Sequence, residues 1–251
     1  MRFFVVFCLF LALNSLAKAE EVVRIFSWNF RGESFGIGAL VDSKVYQEYM
    51  NTEPSVKAKK RLGIHMSKEL GSKEKWWEEA LRELTILLPE DSCIYFLAES
   101  FKILAKEKGL TTDRDLVELA VSFIQSGVGV DQKKVDTYYR AEANGQDGAQ
   151  AIDEKYPCQT LFDCKGVCQD KSILLYCLLK KLGFGTCLIV IEPTDPNKKA
   201  KHIGCGIYTG QNYLYIETME TNMPIGQTTG HFNFNGQCRY VKLIPTIGKT
   251  Y

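Results

Sequence analysis

The apolar and polar positions of the chain change period twice, and each change marks a different kind of element. Residues 22–30 alternate well enough for a strand, Arg31-Gly32-Glu33-Ser34 interrupts them, and a second apolar piece follows at 35–41, which predicts an N-terminal hairpin. Val45, Tyr46 and Tyr49 then sit at helical spacing. Residues 51–70 are polar, rich in lysine and interrupted by Pro54 and Gly63, so a loop-rich part is expected there. Trp76, Trp77, Ala80, Leu81 and Leu84 predict a short amphipathic segment ending before Pro89. Helical period dominates next. Ile94, Phe96, Leu97, Phe101, Leu104 and Ala105 describe a helix over 91–108, ended by Gly109. Thr112 with Asp115 resembles a capping box, opening a second helix through Leu116, Leu119, Ala120, Phe123 and Ile124 that stops at Gly127. These two helices read as a hairpin. Residues 131–154 are polar and read as an exposed connection beside a cleft.

The densest apolar stretch is 168–182. Leu174, Leu175, Leu178, Leu179 and Leu182 recur at helical spacing, while Ile173, Tyr176 and Cys177 widen the arc until little polar face remains, so this helix should be buried. Cys168, Asp170 and Ser172 occupy its first turn and Gly183 its end. Beyond it the period shortens. Residues 186–191 form a continuous apolar strand, 193–201 a polar loop, 202–208 a second strand, 209–212 a tight turn and 213–218 a third, with another short strand at 239–244. A buried helix followed by an antiparallel sheet is an α+β arrangement.

Composition alters this outline little. The 251 residues are 45% hydrophobic and 24% charged, as expected of a chain with one sizeable core or two small ones. Residues 1–19 place Arg2 before an apolar run and end in Ala17-Lys18-Ala19, which predicts a secretory signal peptide cleaved after Ala19 and a secreted or periplasmic product. No other hydrophobic stretch approaches the roughly 20 residues a transmembrane helix needs. Without Arg2 and Lys18 the balance is 29 basic against 30 acidic residues, which argues against a nucleic-acid partner. The basic cluster Lys57-Ala58-Lys59-Lys60-Arg61 reads as a solvated face.

Cysteine supplies the candidate chemistry. With Cys8 in the leader, eight of nine cysteines remain, and Cys158 with Cys164 and Cys187 with Cys205 are the expected disulfide pairs. A zinc site competes, but no Cys-x-x-Cys occurs and only three histidines exist. Cys168 is the candidate nucleophile: at a helix start its thiolate would be favoured by the dipole and the unpaired N–H groups. His202 opens the strand that follows and Glu217 lies fifteen residues on, so an antiparallel pair can bring them side by side as base and orienting carboxylate. The main-chain N–H of Cys168 is one oxyanion donor, and Gln125 and Gln159 are candidates for another.

Several of these residues resemble the transglutaminase-like superfamily of papain-like fold, particularly its secreted bacterial and archaeal branch. They are Tyr156-Pro157, Thr160-Leu161, Gly166-Val167-Cys168-Gln169-Asp170 and the leucine-rich helix to Leu182-Gly183-Phe184. His202 with Gly204 and Gly206, Tyr213, Tyr215-Ile216-Glu217-Thr218 and Ile225-Gly226 continue the match. Upstream, Ser122-Phe123-Ile124-Gln125 and Trp28 with Tyr46 and Tyr49 extend it over most of the mature chain. The chain departs from that branch at Val167, where an acidic residue is common, at Gln169, where glutamate is frequent, and at Glu217, where animal transglutaminases have aspartate. The resemblance implies a papain-like transglutaminase fold with a catalytic helix packed on an antiparallel sheet, so that beyond the signal peptide at 1–19 the chain is expected to comprise an N-terminal extension at 20–90 and a core domain at 91–251. It also implies a Cys168–His202–Glu217 triad for thiol-dependent hydrolysis or acyl transfer at amides of a protein or peptide substrate. No cofactor and no metal are expected. The competing expectation is a non-catalytic binding or structural module of the same fold, with Cys168 captured in a disulfide by Cys164.

Overall fold

The computed structural model describes residues 21–51, 81–82, 84–85, 92–146, 148–194, 202–228 and 238–251. The signal segment, the basic cluster at 57–61, the tryptophan pair and residues 195–201 of the loop expected at 193–201 lie outside the described residues.

Strands β1 (Glu21–Phe30) and β2 (Glu33–Asp42) pair in antiparallel register from Glu21↔Asp42 to Phe30↔Glu33. Their two-residue turn places both Arg31 (φ 50°) and Gly32 (φ 81°) in the left-handed region, the backbone that matches the twist of a tight hairpin. Arg31 tolerates it with its guanidinium 2.7 Å from both Asp115 and Glu118. One face of the ribbon buries Phe26, Trp28, Phe35 and Ile37, and the Trp28 ring meets those of Phe101 and Phe123 at 6.0 and 5.3 Å. The hairpin therefore shares the core of the helices that follow. Helix α1 (Ser43–Met50) starts at Asp42, whose carboxylate accepts from the amides of Lys44 and Val45.

Helices α2 (Ser92–Glu107) and α3 (Asp113–Ser122) occupy the two periodic stretches, and Thr112 and Asp115 form the capping box. The second helix does not end in α form. A π-helical turn, Phe123–Gly127, follows directly, with Val128 N–H donating to the Phe123 carbonyl at 3.0 Å.

The polar stretch read as an exposed connection contains helix α4 (Gln132–Ala143), of which Ala141 is the buried residue. A helix with so little apolar face carries no amphipathic signature for a sequence pattern to detect. Short helix α5 (Pro157–Asp163) begins with proline at its first position and ends at Cys164 in left-handed conformation, φ 55°. Between the helical parts, β3 (Gly129–Val130) and β4 (Lys165–Gly166) form a parallel two-residue ladder.

Helix α6 (Cys168–Lys181) is buried around almost its whole circumference, from Asp170 to Leu179. It packs on a four-stranded antiparallel sheet of order β7–β6–β5–β8, formed by β5 (Thr186–Pro193), β6 (His202–Tyr208), β7 (Tyr213–Ile216) and β8 (Cys238–Leu243). Leu174, Leu175 and Leu178 share a core with Leu188, Val190, Ile203, Ile207 and Ile216 of the sheet, each buried side chain contributing about 1.5–3 kcal/mol. The class is α+β.

The disulfide is Cys93–Cys158, which ties α2 to α5 across a sequence separation of 65, and so replaces the expected Cys158–Cys164 pair. Cys187–Cys205 does not form either. In the β5–β6 register Cys187 stands opposite Gly206 and Cys205 opposite Leu188, and successive residues of a strand face opposite sides of the sheet. Cys205 accordingly lies in the main core with α6, and Cys187 in a second cluster with Ile189, Ile191 and Tyr215. Cys164 and Cys168 are both outside disulfides. Among the described residues no helix is long and apolar enough to cross a membrane.

Candidate active site

The first turn of α6 is held from three directions. Val167 N–H donates to the Asp170 carboxylate at 3.0 Å, and the same carboxylate accepts from Lys155 N–H at 3.1 Å and from Lys134 Nζ at 2.7 Å. Gly166 makes this approach possible, because a Cβ there would stand 2.7 Å from the Cβ of Asp170. On the sheet side, Ser172 Oγ donates to the Ile203 carbonyl at 3.1 Å and lies 3.1 Å from Thr218 Oγ1, which reaches the Cys168 carbonyl at 3.5 Å. The start of the helix is thereby fastened to the residue after His202 and to the residue after Glu217.

Cys168 is the first residue of the helix, half-buried and outside any disulfide, where the N–H groups of the first turn have no intrahelical acceptor. His202, the first residue of β6, is 2% exposed. Its Nε2 lies 2.9 and 3.1 Å from the two carboxylate oxygens of Glu217, and the Cys168 side chain hydrogen-bonds the ring as well. With Nε2 committed to the carboxylate, Nδ1 is the nitrogen left to face the thiol.

Glu217 follows β7 and is wholly buried. Its carboxylate also accepts from Tyr215 Oη, Thr218 N–H and Met219 N–H, each at 2.9 Å. Burial alone would raise its pKa, but His202, the Met219 amide and the Tyr215 hydroxyl outweigh burial and hold it below the ordinary glutamate value. For His202 burial works to lower the pKa, and hydrogen bonds to Cys168 and Glu217 overcome it, pushing the imidazole up to about 9. Nearby Gly204 has a packing reason, since a Cβ there would overlap the Tyr215 ring.

The structure therefore brings Cys168, His202 and Glu217 together. It deploys the two glutamines otherwise. Gln125 donates from Nε2 to the carbonyls of Glu217 and Met223, both at 2.9 Å, so both of its amide protons are used in holding the segment after β7. Gln159 accepts from Tyr156 N–H at 2.9 Å at the start of α5, and its Nε2 lies 3.6 Å from Met50 Sδ. Gln125 therefore has no amide proton to spare for an oxyanion in this arrangement. The neighbour of the nucleophile, Gln169, has a buried Nε2. That amide stands beside Glu154, whose carboxyl is pushed up by burial and drawn back by the amide.

Three further residues of the site were not anticipated from sequence. Tyr215 and Asp170 orient the carboxylate and the helix start as described, and Lys171 is buried completely within α6. A signal for Lys171 was present. It precedes Leu174, Leu175 and Leu178 by three, four and seven positions, which puts it on the core face of the helix. Among the described residues no group of three or more His, Cys, Asp and Glu side chains is arranged to hold a metal ion.

No family model matches the chain, and no curated protein sequence does. The solved structures similar to it include two described as follows. A structure described as a TGase is 14% identical with a TM-score of 0.39 over 88% of this chain, which spans about half of that longer protein. The other is described as a "Putative Cysteine Protease from Cytophaga hutchinsonii"; it is 12% identical with a TM-score of 0.38, over 91% of this chain and 72% of its own length.

Proposed function

We propose that the protein is a thiol-dependent amide hydrolase or acyltransferase of transglutaminase-like type, acting on a protein or peptide. The observation that carries this reading is the half-buried Cys168 thiol hydrogen-bonded to His202, whose other side is held by a buried carboxylate. His202 takes the thiol proton and Cys168 attacks the amide carbonyl. Glu217 supports the imidazolium that results. The oxyanion is received by the Cys168 N–H at the helix start and by the buried side-chain amide of its neighbour Gln169. His202 then returns its proton to the leaving amine, the C–N bond breaks, and a thioester remains on Cys168. Water or an acceptor amine, deprotonated by His202, resolves it and restores the thiol.

The test is alkylation of Cys168 by iodoacetamide, followed by mass spectrometry in the wild type and in His202→Ala. Near about pH 6 the wild type should react roughly tenfold or more faster than the variant, with the gap closing towards about pH 10, because an imidazolium partner is what favours the thiolate in acid. Equal rates at the lower pH would overturn the assignment.

A further inference from the structure

Lys171 is a cation placed where proteins almost never put one. Its side chain is fully buried, and Nζ donates only to main-chain carbonyls, that of Val128 at 3.0 Å and that of Gln125 at 3.4 Å. Among the described residues no carboxylate forms a salt bridge with it. The charged groups around it are distributed by element. On its own helix Asp170 turns away to Lys134 and the Lys155 amide, and Cys168 heads the helix. The π-helical turn and the residue after it contribute carbonyls, and the segment after β7 contributes Glu217. Glu217 is the charge to which Lys171 responds, and it favours the lysine cation against the burial that opposes it.

Charge balance gives this arrangement a purpose. Thiol, neutral imidazole and carboxylate sum to one negative charge; thiolate, imidazolium and carboxylate sum to the same, and so do oxyanion, imidazolium and carboxylate. In each of these three states the buried site carries a negative charge, which is costly, and one buried cation cancels it. Lys171 is also connected mechanically to the backbone of the same residue, because the Gln125 residue whose carbonyl it holds donates its own side-chain amide to the Glu217 main-chain carbonyl.

We propose that Lys171 is a positioning residue of the site, the standing counter-cation that keeps Glu217 ionised and anchors the π-helical turn behind it. The proposal rests on the Cys168–His202–Glu217 reading and extends it. Its cation is itself weakened by burial, to a pKa of about 8, so the effect belongs to acid and neutral solution and fades above that pH.

The experiment compares the pH profile of Cys168 alkylation in the wild type and in Lys171→Met, which keeps the length of the side chain and removes its charge. The acid limb, where Glu217 takes up its proton, should move upward by about one pH unit in the variant, the size a unit charge several ångströms away gives at an effective dielectric constant near 20. The two profiles should coincide above about pH 8, where the wild-type lysine is itself neutral. A purely structural lysine would change the melting temperature and leave the limb in place, and superimposable profiles overturn the proposal. If Lys171→Met does not fold, the reciprocal measurement decides: the titration of the Lys171 Cε resonance by NMR should shift to lower pH in Glu217→Gln, and an unchanged midpoint overturns the proposal. A wild type whose alkylation does not depend on His202 would instead remove the triad reading itself, so the two failures are distinct.

Discussion

Two buried ionic clusters flank the first turn of α6, and they are built on opposite principles. In one, Asp170 faces Lys134 and two main-chain N–H groups, while Lys155 is shared between Asp131 at 2.8 Å and Asp163 at 2.9 Å. Its carboxylates each meet a cation within salt-bridge distance. In the other, Glu217 meets an imidazole that also serves a thiol, and the lysine behind it bonds to carbonyls alone. The closed cluster holds a helix start in place. The open one retains a proton that can move, which is what the proposed chemistry requires of a buried polar network.

The sharpest way to break this comparison is Glu217→Gln. A glutamine amide would impose the wrong tautomer on His202, and release of 4-nitrophenol from a 4-nitrophenyl acyl ester should fall by about 10²–10⁴-fold, as for loss of a positioned acid–base pair. Asp170→Asn addresses the other cluster. Breaking a buried pair by removing one charge costs about 3–5 kcal/mol, so urea unfolding should show a loss of that order, while Cys168 of the folded fraction keeps its alkylation rate within about threefold. Equal loss of reactivity and stability in both variants would erase the distinction drawn here.

The smallest effect is a pH signature of the open cluster. The folded pKa of His202 lies above its unfolded value, so its contribution to stability is complete below about 6.5 and is lost as pH rises through about 9. Glu217 is depressed, so its contribution is present above its ordinary value of 4.5 and is lost as pH falls through the folded value. The stability difference between the wild type and His202→Gln, followed by denaturant unfolding, should therefore be greatest between about pH 4.5 and 6.5 and decline on both sides. A difference that grows towards alkaline pH would contradict the pairing.

How much of this could be read from the chain differs from element to element. The hairpin, α2, α3 and the leucine-rich α6 each bury one face or more, and burial at a fixed period leaves a pattern in the sequence. Helix α4 buries little and leaves none. Cys168, His202 and Glu217 could be proposed together because a helix start and two adjacent antiparallel strands limit where such residues can meet. Gln125 could not be assigned correctly, because the use of an amide proton depends on which carbonyls lie across the fold: Glu217 and Met223 claim both of its protons. Cys158 misled for the same reason. Cys164 is closer in sequence, but the partner in space is Cys93 of α2.

By itself, then, the order of residues determined the α+β alternation, the capping of α3 and the placing of a thiol at the head of a buried helix, since each follows from local periodicity and the unpaired amides of a helix end. Only the tertiary structure decided which nitrogen of His202 meets Glu217, which cysteines pair, and that Lys171 lies buried in sight of that carboxylate. Those outcomes depend on contacts between positions far apart in the chain, where the energy of burying a charge or a donor is set by whatever the rest of the fold brings beside it.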